Sequence, residues 1–387
     1  MSENKEIWTI APLDLGELIK AKYKGRRTSI LIKGAIGIGK SSLVRQVSEE
    51  IAKELGLQFI CLNEIFDDEA YEIYKDMLAR LKANQPPKYF IFWSVPLPSI
   101  DVVDFLGSLK DTEEYVTWKP PIKIKLLQRA RHGIIFLDEL NVVEDKTVKH
   151  LAQRLLLDKE IGGIINRNIM VISACNRAVD TEQIEILGSR DKNRVLIVEM
   201  QPFTVEQFTL YMRRKHGNKF DYRVCAFLQR NPEYFVTLDE NEEELENFAT
   251  PRSWEDCGCT LYDARDLDLE NQIARGCLGK DVAIKFLAFL KLKPIPPKEL
   301  IQRPEMISTV KPEVQLYSVI TLADAINREF IKLEEAQKFI NYIVQNDRSL
   351  LMMFWIALDR KFTRQIMEQI TWDDEMWKYI EKMEKYL

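Results

Sequence analysis

From position 34 the chain reads Gly34-Ala35-Ile36-Gly37-Ile38-Gly39-Lys40-Ser41, with Ser42 following. This fits G-x-x-x-x-G-K-[ST], a glycine loop whose backbone N–H groups turn inward around phosphate oxygens. Its flanks limit what the chain can fold into. Ser29-Ile30-Leu31-Ile32 is short, apolar and β-branched, the pattern of a buried strand. Behind the loop, Leu43, Val44, Val47, Ile51 and Leu55 fall on one helical face. Strand, loop and helix in that order give the motif the context it needs, and the helix N-terminus adds partial positive charge. The motif predicts that residues 34–42 bind a nucleoside triphosphate. Lys40 would reach the β- and γ-phosphates, and Ser41 would hold Mg²⁺.

A second pattern supports the first. Ile134-Ile135-Phe136-Leu137 runs directly into Asp138-Glu139. A buried strand ending in two acids delivers carboxylates to the sheet edge where ligands of open α/β sheets bind. Asp138 is the expected metal carboxylate, and Glu139 the general base for an attacking water.

Up to about residue 200, strand-like runs alternate with amphipathic helices. The runs are Ser29–Ile32, Gln58–Leu62, Tyr89–Val95, Gly133–Leu137, Asn168–Cys175 and Arg194–Met200. Alternation of this kind predicts a three-layer α/β domain with a mostly parallel sheet. Beyond residue 203 the pattern is helical. We therefore expect an α/β core over 1–203, a helical lid over 204–300 and a helical C-terminal extension over 301–387. Asp67 to Ala83 reads as a helix between two strand candidates, and Gln85-Pro86-Pro87 breaks the chain after it. Residues 64–88 are read as a helical insertion. The acidic run Asp239–Glu246 reads as an exposed loop. Trp355, Trp372 and Trp377 fall in amphipathic stretches and read as core.

Net charge is −5, which gives no bulk reason to expect a nucleic-acid partner. A local basic patch remains compatible with that balance, since Lys20 to Arg27 holds five basic residues. Such a run reads first as a solvated face. No signal peptide or membrane span is legible, so a cytoplasmic location is expected. The six cysteines are scattered, with Cys257-Gly258-Cys259 lacking a second half, and read as reduced thiols.

Taken in order, these motifs resemble the MoxR type of AAA+ ATPase. Asp138-Glu139-Leu140-Asn141 is one match, and Asp104-Phe105-Leu106-Gly107 resembles that clade's D-L-x-G. Val116-Thr117-Trp118-Lys119-Pro120-Pro121 resembles its hairpin-and-proline segment. Leu155 to Gly163 is similar to its L-L-x-x-x-x-I-G run, and Ser173-Ala174-Cys175-Asn176 to its sensor 1 strand. Thr250-Pro251-Arg252-Ser253-Trp254-Glu255 resembles the T-P-R-S-W-E that opens the sensor 2 helix.

The resemblance implies roles. Asn176 would contact water and γ-phosphate, and Arg252 would reach the nucleotide from the lid. Arg194, in Asn193-Arg194-Val195, is the favoured arginine finger, with Arg190 its competitor. Trp118 would line a pore or pack its own hairpin. Thr250-Pro251 is in any case a good helix start, with Thr as N-cap and Pro at the first position.

The implied activity is ATP hydrolysis by a self-associated ring, a hexamer, that remodels a protein partner. A separate von Willebrand A-domain protein is one implied partner. Two other classes stay open: a nucleic-acid motor or loader, and a nucleotide-sensing scaffold with weak turnover.

Overall fold

The computed structural model describes residues 9–176, 191–237, 247–265 and 267–369. Arg190, Trp372, Trp377 and the Asp239–Glu246 run lie outside the described residues. The chain divides into two compact units, Met1–Pro202 and Phe203–Leu387.

The first unit is built on a seven-stranded sheet. In chain order its elements begin β1 (Thr9–Ile10), α1 (Pro12–Lys24), β2 (Ile30–Lys33), α2 (Lys40–Glu54), β3 (Gln58–Cys61), α3 (Asp67–Lys82) and β4 (Tyr89–Pro96). Helix α4 (Val102–Leu106) then leads into a hairpin, β5 (Ser108–Asp111) and β6 (Val116–Lys119). Next come α5 (Ile122–Arg129), β7 (Gly133–Asp138) and α6 (Lys146–Asp158). A short hairpin of β8 (Glu160–Ile161) and β9 (Ile164–Ile165) precedes β10 (Met170–Cys175) and β11 (Leu196–Met200).

The strand order is β1-β11-β2-β10-β7-β4-β3, with every pairing parallel. The six expected runs are all strands of this sheet. They read as near-continuous apolar runs because both faces are covered. On β4, Ile91, Trp93 and Val95 join a core with α3, α5 and α6. Phe90 points the other way, its ring 5.5 Å from that of Tyr23 on α1. The period of two thus divides one strand between two helical layers.

Helix α3 is the crossover between adjacent parallel strands β3 and β4, so the stretch read as an insertion closes a βαβ unit. Gly107 after α4 has φ +82°, and a Cβ there would lie 1.9 Å from the Lys119 carbonyl oxygen. Glycine in the D-F-L-G segment is what lets the β5–β6 hairpin close against α4.

The second unit is helical throughout its described residues. It comprises α7 (Val205–His216), α8 (Arg223–Arg230), α9 (Pro251–Asp263), α10 (Glu270–Leu278), α11 (Lys280–Leu290) and α12 (Pro297–Gln302). These are followed by α13 (Pro312–Asn327), α14 (Gln337–Asn346), α15 (Arg348–Ala357) and α16 (Arg360–Gln369). One hydrophobic cluster runs from Phe208 to Ile366 and takes in Trp355, which is 2% exposed. Helix α9 starts as its sequence predicts. Thr250 is the N-cap, its hydroxyl oxygen accepting from the Ser253 N–H at 3.2 Å, and Pro251 occupies the first turn.

Gly258 in α9 lies against the Phe220 ring, and a Cβ there would come within 2.2 Å of it. Phe220 is itself buried and has nowhere to retreat. Gly258→Ala is therefore expected to cost about 1–3 kcal/mol by overpacking. Hydrogen exchange across α9 would show it, and combining it with Phe220→Leu should recover part of the loss. Equal protection of α9 in wild type and Gly258→Ala would refute the contact.

Candidate nucleotide site

Strand β2 is buried along Ile30, Leu31 and Ile32, and delivers the chain to the glycine loop. The loop is tied to the neighbouring strand by the Gly34 N–H, which donates to the Cys175 carbonyl at 3.2 Å. A Cβ on Gly34 would sit 2.7 Å from Cδ1 of the fully buried Ile38, so a side chain there would force Ile38 to move. Gly37 and Gly39 have φ of +73° and +86°, a region L-residues avoid. Gly39 is the N-cap of α2, so the loop ends at that helix's first N–H groups, which have no partner within the helix.

Register brings the other candidates to the same edge. Cys175 of β10 pairs with Lys33 of β2, and Ser173 of β10 with Leu137 of β7. Asp138 and Asn176 therefore finish on strands lying beside the loop. Lys40 is 8% exposed, and its Nζ donates to the Gly34 and Ala35 carbonyls at 2.9 and 2.8 Å. The same ammonium reaches Asn176 Oδ1 at 3.3 Å. Ser41 Oγ donates to Asp138 Oδ2 at 2.6 Å. The structure thus brings Lys40 to Asn176 and Ser41 to Asp138, two pairs at the same sheet edge.

Glu139 is exposed and sits at φ +58°. Two bonds hold that turn. Its N–H donates to Asp138 Oδ1 at 3.1 Å, and the Leu140 N–H donates to the Ala174 carbonyl at 3.1 Å. Asn141 received no role from sequence. It is 6% exposed, and its Oδ1 accepts from the Asn176 backbone N–H at 3.1 Å, fixing the residue that faces Lys40. Its signals in the sequence were a polar residue just past a strand-ending acid pair and its place in the Asp138-Glu139-Leu140-Asn141 match. Burial pushes the Cys175 thiol upward, against the opposing charges of Lys33 and Lys40.

The remaining candidates lie elsewhere. Arg194 is about half exposed; its guanidinium bonds Asp158, the Leu157 carbonyl at 3.3 Å and Asp191 at 3.7 Å. Arg252 is exposed in the first turn of α9, in the second unit. Trp118 is 44% exposed on β6, opposite Leu109 at 62% on β5.

The chain matches no family model, and no curated protein. Solved structures do match over most of its length. One is the replication initiator DnaA bound to AMPPCP and single-stranded DNA, at 12% identity and a TM-score of 0.29, covering 97% of this chain and 93% of that one. Another is Cdc6p from Pyrobaculum aerophilum, at 11% identity and a TM-score of 0.33, covering 97% and 85%. A third is PCH-2 of C. elegans, at 12% identity and a TM-score of 0.27, covering 83% and 68%. Similarity at this level assigns no activity.

What the site can do follows from its own residues. A buried ammonium and free helix N–H groups offer positive charge to an anion. A hydroxyl–carboxylate pair and an exposed carboxylate stand beside them, at the C-terminal edge of a parallel sheet. That set suits a phosphorylated ligand and a hard cation. No helix of the described residues is long and apolar enough to cross a membrane.

Proposed function

We propose that this chain is a Mg²⁺-dependent ATPase of the AAA+ class, MoxR-like, working as a hexameric ring that remodels a protein partner. The observation that carries the reading is the Lys40–Asn176 and Ser41–Asp138 pairing, which joins two separate nucleotide motifs in one site.

In this reading the loop N–H groups and Lys40 hold the phosphates of ATP. Ser41 and Asp138 fit Mg²⁺, because a hydroxyl and a carboxylate are the hard oxygen donors it takes alongside phosphates and water. When bound, that ion would neutralise phosphate charge. Glu139 orients and deprotonates the attacking water, and Asn176 positions it, itself held by Asn141. Arg194 completes the neighbouring subunit's site as the arginine finger, with Arg190 as alternative, and Arg252 acts from a lid over 204–300. The exposed apolar hairpin carrying Trp118 is the surface offered to the remodelled partner. A separate von Willebrand A-domain protein is the partner class the sequence resemblance suggests, and a cytoplasmic location accompanies it.

A finger supplied in trans makes turnover depend on assembly. Phosphate release per subunit, measured with ATP and Mg²⁺ over a range of protein concentrations, is expected to rise and then level off. The plateau should coincide with the appearance of the oligomer by light scattering. Full activity in a monomer at nanomolar dilution would sink the ring, and absence of turnover in the assembled protein would sink the ATPase.

A further inference from the structure

The N-terminal edge of the sheet, opposite the nucleotide site, carries a concentration of positive charge that net composition hides. Just before β2 stand Arg26 and Arg27, before β10 Arg167, before β7 Arg129 and Arg131, and before β4 Lys88. The strands are neighbours in the order β2-β10-β7-β4. With adjacent strands ~4.8 Å apart, these segments fall within about 15 Å of one another along the edge.

Arg27 stitches them together. At φ +51° its guanidinium donates to the Asn168 carbonyl, and to that of Arg131 at 3.4 Å, while lying 4.5 Å over the Tyr23 ring. Lys159 Nζ donates in turn to the Arg27 carbonyl at 2.6 Å. Arg27 and Lys159 are thus committed to backbone oxygens, leaving Arg26, Lys88, Arg129, Arg131 and Arg167 exposed along the row.

None of these five is ion-paired among the described residues. Arg80 and Asp76, at the end near Lys88, are bonded to each other at 2.8 Å. Two titrating groups register the unbalanced charge. Burial, then the charges of Arg27 and Arg167, lower the Lys159 ammonium to about 8. Burial, then Arg27 and Arg131, lower the His132 imidazole. The charges of Arg27, Arg131 and Arg167 thus add to burial in lowering these two groups, while the charge of Lys88 also acts on Asp76.

We infer that this edge binds the phosphodiester backbone of a nucleic acid, independently of base sequence. Four of the five exposed cations are arginines, whose fork matches phosphate oxygens. A protein interface would centre on apolar and aromatic anchors and thin out its charges. Instead, no exposed large apolar side chain lies in 25–29, 85–88, 129–132 or 166–169. A row of cations that form no ion pair among the described residues is the footprint of a polyanion, bound by release of its counterions. The inference uses no residue of the nucleotide site and stands whether or not the chain hydrolyses ATP.

The test uses the full chain without nucleotide and a fluorescein-labelled 20-nucleotide single strand of mixed sequence, read by anisotropy between 50 and 200 mM NaCl. Binding should weaken steeply with salt. The variant Arg26→Gln/Arg131→Gln/Arg167→Gln removes three exposed charges whose side chains make no hydrogen bond or ion pair among the described residues. It should flatten the logarithmic salt slope by about 2, at roughly 0.7 per cation removed. At 50 mM NaCl its affinity should fall at least tenfold. Lys285→Gln, exposed on α11 in the other unit, should change neither, and circular dichroism melts confirm that all variants fold. Equal binding by wild type and triple variant overturns the inference. So does polyglutamate competing as well as the oligonucleotide, which would make the partner an acidic protein segment. A triple variant that changes only the oligomeric state would make it a second copy of this chain.

Discussion

Glu139→Gln is expected to leave ATP bound and to slow its hydrolysis by about a hundredfold or more. The size follows from what the substitution removes. Glutamine keeps the length and shape of the side chain, and the backbone bonds at 138–140 do not involve the carboxylate that is lost. Ser41 and Asp138 remain paired at 2.6 Å, so metal and phosphate binding have no cause to change. In the proposed reading, proton acceptance at the end of β7 is what goes. Phosphate release and binding of a fluorescent ATP analogue, measured on the same preparation, separate the two effects. If release is unchanged, Glu139 is not the base and a slow nucleotide-sensing scaffold becomes the better description. If binding is lost as well, the turn at Glu139 has moved and the result speaks to structure.

The second large effect concerns stability. Trp254 is fully buried in α9 and packs against Phe227 and Phe286 with ring centroids 5.7 and 5.4 Å apart. Its indole Nε1–H donates to the Tyr234 carbonyl at 2.9 Å. Trp254→Ala removes a large apolar volume, three-way ring packing and a buried donor together. We expect the second unit to lose about 3–5 kcal/mol. Because the chain has two compact units, one melting temperature is a poor reading of this change. Hydrogen exchange resolves it: protection should fall across α8, α9 and α11 while β2, β7 and β10 keep theirs. Trp254→Phe should retain more than half of the loss-free stability, since it keeps the ring and forfeits the hydrogen bond. Protection lost evenly over the whole chain would contradict a core confined to the second unit.

The sequence was most readable where burial is two-sided. Strands such as Gly133–Asp138 and Met170–Cys175 are apolar along their length because helices cover both faces. Their lateral order was not readable, since a parallel sheet joins residues far apart in the chain and no local pattern encodes the neighbour. The hairpin at Ser108–Lys119 shows the other limit. Its strands are almost wholly exposed, so they lack the alternation that marks a half-buried strand, and only family resemblance pointed to them. Strand Thr9–Ile10, two residues on the sheet's edge, offers too little pattern to read.

The site divides in the same way. The glycine loop and the acid pair are local signals, whereas Asn141 acts through one backbone bond that only the fold creates. The bond from Arg194 to Asp158 likewise needed the fold, because 36 positions separate the two. The cationic edge was hidden most completely. Its members sit in four segments, and parallel register alone sets them side by side while the total charge stays negative.

Glu139 occupies a left-handed backbone position that costs an ordinary residue roughly 1–2 kcal/mol and costs glycine almost nothing. A redesign of this chain scored on thermal robustness alone would therefore select glycine there, and would delete the carboxylate on which turnover is proposed to depend. Position 139 marks where the proposed catalyst and the sturdiest version of its own scaffold call for different residues. Libraries built from this protein should hold it fixed while stability is improved elsewhere.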